Sequence, residues 1–204
     1  VGVTRRANSA LILGCENLID NCITWYRDRG LKPTVSLIPE LNESLDAELE
    51  RRNFKKLLDL EVMVKDPIER EVGFEFTTFN APTQEWLAIH NDEPIAQLLV
   101  RTPSKYVEIK VENELIAIGR IAFADGWAVI SRIWVKPTMR GKGFGRKVLH
   151  ALESLAGNSK LALQVQRDNE SAYQLYLTEG YKTHHTARFR SQSQQINLAQ
   201  DCQC

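Results

Sequence analysis

At 204 residues, with 43% apolar and 25% charged side chains, the chain has the size and balance of one large globular domain or a domain plus a smaller lobe. Its 26 Lys+Arg match its 26 Asp+Glu, so no bulk charge points to nucleic acid or a membrane surface as partner. No apolar run approaches the roughly 20 residues that span a bilayer. The opening VGVTRRANSALILG lacks the pattern of a secretion signal, and a cytoplasmic protein is the expectation.

The first apolar run, residues 10–13, reads as the end of a strand, closed by Gly14. Residues 16–29 carry Leu18, Ile19, Cys22, Ile23 and Tyr26 at a helical period, with Gly30 placed to stop the helix. Residues 33–39 alternate as a short strand, residues 42–53 form a second short helix, and residues 61–64 another strand. Lys65-Asp66-Pro67 reads as a linker. From Gly73 the pattern restarts, with a strand over residues 74–79 and a helix over 84–91. Two hairpin-connected strands, 106–111 and 115–123, follow, and Asp125-Gly126 signals a two-residue turn. Residues 127–135 form a long strand. Then come a glycine loop, a helix over 145–155, a strand over 161–166, a helix over 169–179 and a last strand over 183–189. The sum is an α/β fold with a mixed sheet, antiparallel first and joined by crossover helices later.

Cys15, Cys22, Cys202 and Cys204 include no CxxC pair and read as free thiols, so no metal site is expected.

The segment that carries chemistry is IWVKPTMRGKGFGRK, residues 133–147. It sets Arg140, Gly141, Lys142, Gly143, Phe144, Gly145 and Arg146 between a strand and a helix. A helix start offers unpaired N–H groups and partial positive charge, and glycines let an anion approach the backbone, so the loop is a phosphate cradle. Lys136, Arg140, Lys142, Arg146 and Lys147 add basic charge. A Walker loop would need Ser/Thr where Gly143 stands, and a Rossmann fingerprint would need Gly or Ala at Arg146; both fit poorly.

Arg140 to Gly145 matches the Gln/Arg-x-x-Gly-x-Gly/Ala loop of the GNAT family of N-acetyltransferases. LALQVQ at 161–166, Asn169 with Ala172 and Tyr176, and the Gly180-Tyr181 ending resemble the family's following elements in order and spacing. The resemblance covers about residues 106–190. It implies a GNAT-like acyl-CoA N-acyltransferase fold with acetyl-CoA as cosubstrate. Backbone groups of Ile133, Trp134 and Val135 would face the pantetheine arm, and one N–H would hold the oxyanion. Arg140, Gly141, Lys142, Gly143, Phe144, Gly145 and Arg146 would cradle the pyrophosphate, with Asn169 and Ala172 by the pantetheine. Tyr173 reads as a cofactor contact, a second acid or core packing. Tyr176 would protonate the departing thiolate, a role its ordinary pKa of about 10 permits. The strand before the loop lacks the acidic residue many members carry there, which leaves the general base open among water, His184 or His185, or an acceptor that arrives neutral.

The N-terminal segment repeats the order strand, loop, helix, strand, helix, strand. Its loop, Gly14-Cys15-Glu16-Asn17, carries no basic residue and one acid. It reads as a degenerate GNAT-like half lobe of the bacterial tandem type, or as an unrelated α/β cap. The expected division is residues 1–66, a catalytic domain over 67–190, and a polar tail over 191–204. The acceptor is a small-molecule or peptide amine, and the default assembly of a soluble enzyme is a homodimer. A non-catalytic acyl-CoA-binding or regulatory module is the alternative.

Overall fold

The computed structural model describes residues 8–12, 18–92 and 95–192. It comprises two compact units, Val1–Leu60 with His185–Cys204, and Glu61–His184. The division falls before residue 66 and groups the end of the last strand with the first unit.

The first unit contains β1 (Ala10–Leu11), α1 (Leu18–Arg27), β2 (Thr34–Leu37), α2 (Glu43–Arg51), the start of β3 (Phe54–Lys65) and most of β9 (Lys182–Gln192). The strand order there is β1-β2-β9-β3. β1 and β2 are parallel, with Ala10 opposite Val35, and α1 is their crossover. The helical period of α1 buries Ile19, Ile23 and Tyr26. Gly30, at φ 61°, ends it by letting Leu31 N–H return to the Tyr26 carbonyl at 2.9 Å. Ile19, Val35, Leu37, Leu45, Leu49 and Phe54 form the core of this unit. β9 lies antiparallel to β2. From β9, Arg188 donates to Asp46 (2.6 Å) and Asp59 (2.8 and 2.9 Å), and Arg190 donates to Asp46 (2.6 Å). The Gly14–Asn17 loop, Cys15, Cys202 and Cys204 lie outside the described residues.

The second unit contains β4 (Thr77–Phe79), α3 (Gln84–His90), α4 (Ala96–Leu99), β5 (Ser104–Val111), β6 (Glu114–Ala124), β7 (Trp127–Val135), α5 (Phe144–Ser154), β8 (Lys160–Gln166) and α6 (Glu170–Thr178). Its order is β3-β8-β7-β6-β5-β4, antiparallel from β4 to β7 and parallel between β7 and β8. Asp125 (φ 49°) and Gly126 (φ 77°) make the expected tight turn into β7. Period-2 alternation sends neighbouring side chains to opposite faces. Ala117 joins the α5 face with Val148 and Leu152, whereas Ile118 joins the α3/α4 face with Trp86 and Tyr106.

Four elements differ from the sequence reading. β3 begins at Phe54 rather than near residue 61, because the exposed Lys55 and Lys56 hide its alternation. The strand expected over 74–79 shrinks to β4; Phe74 and Phe76 instead pack from irregular chain onto the core. α4 was not expected. Ser191 and Gln192 belong to β9, not to a tail, and Ser191 is buried with its hydroxyl on the Pro33 carbonyl at 2.9 Å. No helix among the described residues is long and apolar enough to cross a membrane.

Candidate active site

The site begins where β7 and β8 part. Their parallel pairing runs from Trp127 opposite Lys160 to Ile130 opposite Leu163 and goes no further, although both strands continue. Residues 131–135 therefore turn one edge of backbone N–H and C=O groups toward a widening gap. On its other edge β7 stays paired with β6, as far as Ile118 opposite Trp134 and Ala117 opposite Val135.

The parting coincides with a β-bulge. The register shifts between Ile118 and Arg120, and opposite that shift Arg132 adopts φ 58°. A non-glycine residue held there is strained, a feature that clusters at functional sites. The extra residue also resets the alternation. Ile130 faces the α5 core before the bulge, and Ile133 and Val135 face it afterwards, while Trp134 packs with the α3/α4 group. On the opposing strand Gly119 leaves room for α5: a Cβ there would sit 2.6 Å from Val148 Cγ1 and 2.7 Å from Leu152 Cδ1. Sequence reasoning passed over both the bulge and Gly119, which no motif marks.

After β7 a short 3-10 turn (Pro137–Met139) leads into the loop. Gly141 (φ 74°) and Gly143 (φ 83°) take the left-handed conformation, and Gly143 is the N-cap of α5. Lys147 N–H is bonded to the Gly143 carbonyl at 3.0 Å, so the amides of the preceding turn lack intrahelical acceptors and point out of the helix start. Arg140 donates to the Val135 carbonyl (3.3 Å) and Lys142 to the Met139 sulfur (3.6 Å), both neutral groups, which leaves their charge for an anion. Two other basic residues are less free than their sequence positions suggest. Lys136 is ion-paired with Glu114. The Arg146 guanidinium is held by Glu179 at 2.6 Å, a carboxylate also bound by His150 at 2.7 Å. What Arg146 offers a phosphate in this arrangement is its backbone.

α6 approaches the first turn of α5: a Cβ on Gly145 would be 3.5 Å from Leu175 Cδ2. Asn169 caps α6, its side-chain oxygen accepting from Ala172 N–H at 3.4 Å, so its polar head serves the helix here. Tyr173 is half-buried, its hydroxyl 3.4 Å from Thr183 Oγ1. Tyr176 is 8% exposed and meets Tyr181 edge-on at 5.9 Å. Burial pushes its phenol up to about 12. Beneath this pair lies Glu153, wholly buried and held by Lys65 (2.8 Å) and Arg70 (2.6 Å), a network that ties α5 to the end of β3 and the coil after it.

On the other face of β7, Arg132 forks onto Asp92, with Nε to Oδ2 at 2.8 Å and Nη2 to Oδ1 at 3.1 Å. His90, at the end of α3, lies against the Arg132 backbone. Asn91, at φ 51°, ends that helix and turns Asp92 inward. Sequence analysis did not single out His90; a histidine at a helix end has no spacing signature.

A strand pair that parts beside a glycine-led helix start fits the acyl-CoA N-acyltransferase fold. The comparisons agree. The model of the acetyltransferase (GNAT) family matches residues 69–181, more than half of the chain, and the chain belongs to that family. An uncharacterized N-acetyltransferase of Bacillus subtilis is 34% identical over 73 residues, which is 34% of this chain and 30% of that protein. An uncharacterized protein of Mycobacterium leprae is 40% identical over 53 residues, 26% of this chain and 15% of its own length. The solved GCN5-related N-acetyltransferase from Kribbella flavida superposes with a TM-score of 0.61 at 15% identity, covering 83% of this chain and 71% of that one. The chain thus spans less than a third of the two curated relatives.

Proposed function

We propose that this chain transfers the acetyl group of acetyl-CoA to a primary amine by direct attack in a ternary complex. The observation that carries this reading is the parting of β7 from β8 directly before the Gly141–Gly143 loop. The residues fit the cofactor. The free edge of Ile133, Trp134 and Val135 suits the amide groups of a pantetheine arm. The out-pointing amides at the start of α5, with Arg140 and Lys142, suit a pyrophosphate. Acetyl-CoA supplies the activated acyl group, and the protein does the rest. A β7 N–H stabilises the oxyanion, and Tyr176 donates a hydrogen bond to the departing sulfur. A phenol raised to about 12 is a weak acid against a thiolate of ordinary pKa near 8.5. The dryness that raises the phenol raises a thiolate in the same place, so donation persists as the sulfur leaves.

The acceptor reads as a small-molecule or peptide amine, the working form as a homodimer, and the setting as the cytoplasm. The first unit reads as a degenerate copy of the second. Both run strand, helix, strand, helix, strand, and both bridge a parallel pair with a helix (β1/β2 by α1, β7/β8 by α5). Both end their second helix on a positive φ before a buried aromatic: Asn53-Phe54 and Gly180-Tyr181.

The test is release of free CoA thiol with a panel of primary amines, for wild type and Tyr176→Phe. Turnover by wild type, lower by about a hundredfold to ten-thousandfold in the variant, is expected. The rate should show no alkaline fall near pH 10 from Tyr176, because the raised phenol stays protonated there. Saturable acetyl-CoA binding with no turnover on any amine would favour the non-catalytic binding module.

A further inference from the structure

We infer that His90 is the general base of this site: its imidazole takes the proton from the acceptor ammonium before attack. The inference rests on the acetyl-transfer reading above and supplies what the sequence left open. β7 carries no carboxylate where many relatives place one, and a neutral amine has to come from somewhere. Three observations point to His90. Its ring lies against the backbone of Arg132, the strained residue of the bulge where the strands part and where the acyl group would sit. Its Nε2 is buried yet has no hydrogen-bond partner among the described residues. A buried polar nitrogen without a partner is costly unless a ligand or water meets it. The nearby carboxylate, Asp92, is paired with the Arg132 guanidinium, which donates to its Oδ1 at 3.1 Å and lies 2.8 Å from its Oδ2.

The surroundings fix the ring and keep it neutral. Trp86 meets the ring edge-on at 6.3 Å and fixes its plane. Among the described residues, the charged groups that face it are Arg132 on β7 and Asp92 after α3. Burial and then the Arg132 charge lower the ring's pKa, outweighing Asp92, so the imidazole is neutral and able to accept a proton at physiological pH. In the step itself an ammonium proton passes to Nε2. The freed nitrogen lone pair attacks the thioester carbon and the C–S electron pair leaves on sulfur; the second proton lost by the nitrogen balances the one the thiolate takes up, and the proton held on Nε2 goes to solvent. Arg132 and Asp92 act as positioning residues.

The test uses bromoacetyl-CoA without any amine, so it does not depend on knowing the acceptor. If His90 faces the acyl group, its Nε2 displaces bromide from the α-carbon. A C–N bond forms, bromide leaves with its electron pair, and the ring's other N–H proton goes to solvent. Peptide mapping of the wild-type chain should place one adduct on His90. Its rate should be flat between about pH 7 and 9, as for an imidazole already neutral. His90→Gln should lose the adduct and keep calorimetric binding of acetyl-CoA. Binding of acetyl-CoA by wild type, with the adduct on another residue or with none, overturns the assignment of His90 alone. No acetyl-CoA binding by the folded wild type overturns the acyltransferase reading and this inference with it.

Discussion

Gly143→Ala isolates what the loop glycine contributes to cofactor binding. Gly143 sits at φ 83°, ψ 0°, and nothing lies within 4 Å of where a Cβ would be. An added methyl meets no neighbour, so the penalty is purely of the backbone, about 1–2 kcal/mol for an L residue in the left-handed region. In the free protein the exposed loop can shed that strain by shifting. With a pyrophosphate bound, its amides have to converge on one point and it cannot. The penalty therefore falls on binding, and acetyl-CoA should bind about 5-fold to 30-fold more weakly. The thermal midpoint should move by no more than about 2 °C. Titration calorimetry and a melting curve on both chains measure the two quantities. Gly157→Ala is the control: φ is 57°, the surroundings are equally open, and it follows the far end of α5. Unchanged affinity in Gly143→Ala, or an equal loss in Gly157→Ala, would refute the reasoning.

Gly119→Ala should cost about 1–3 kcal/mol of stability, since the new Cβ would overlap Val148 and Leu152 unless α5 withdraws; an unaltered melting temperature would contradict the close approach. The first unit should weaken in acid. Burial raises the Asp46 carboxyl, but hydrogen bonds from Arg190 and Arg188 and their charges outweigh it and hold it below the ordinary range. Asp59 is lowered chiefly by its hydrogen bond from Arg188. Groups depressed on folding stabilise fully above the unfolded value, about pH 4, and lose that contribution as pH falls through the folded one. Thermal midpoints should thus drop below about pH 4 more steeply in wild type than in Arg188→Ala. Parallel curves would show that these pairs contribute nothing.

The conformation of the Arg140–Gly145 loop was legible because it is set locally. Arg140 to Gly145 are contiguous, and glycine is the residue that takes φ 74° and 83° without strain. β7 and α5 were legible for the same reason: long alternation, then a helical stripe ending in a buried face. What the sequence withheld depends on distant partners. Gly119 looks like any strand glycine until Val148 and Leu152 arrive over it. His90 reads as a helix-end polar residue until the bulge at Arg132 is set beside it. Arg146 reads as a phosphate ligand until Glu179, from the end of another helix, takes its guanidinium. β3 was misread at its start because two exposed lysines broke the alternation.

The central claim is that acetyl-CoA lies in the gap between β7 and β8 with its pyrophosphate on the start of α5. Amide chemical-shift mapping of the 15N-labelled chain during an acetyl-CoA titration tests it most directly. The account predicts the largest, saturable shifts at Ile133, Trp134 and Val135 and from Arg140 to Arg146, with residues of the first unit hardly moved. Shifts centred elsewhere, or none at saturating ligand, would contradict it.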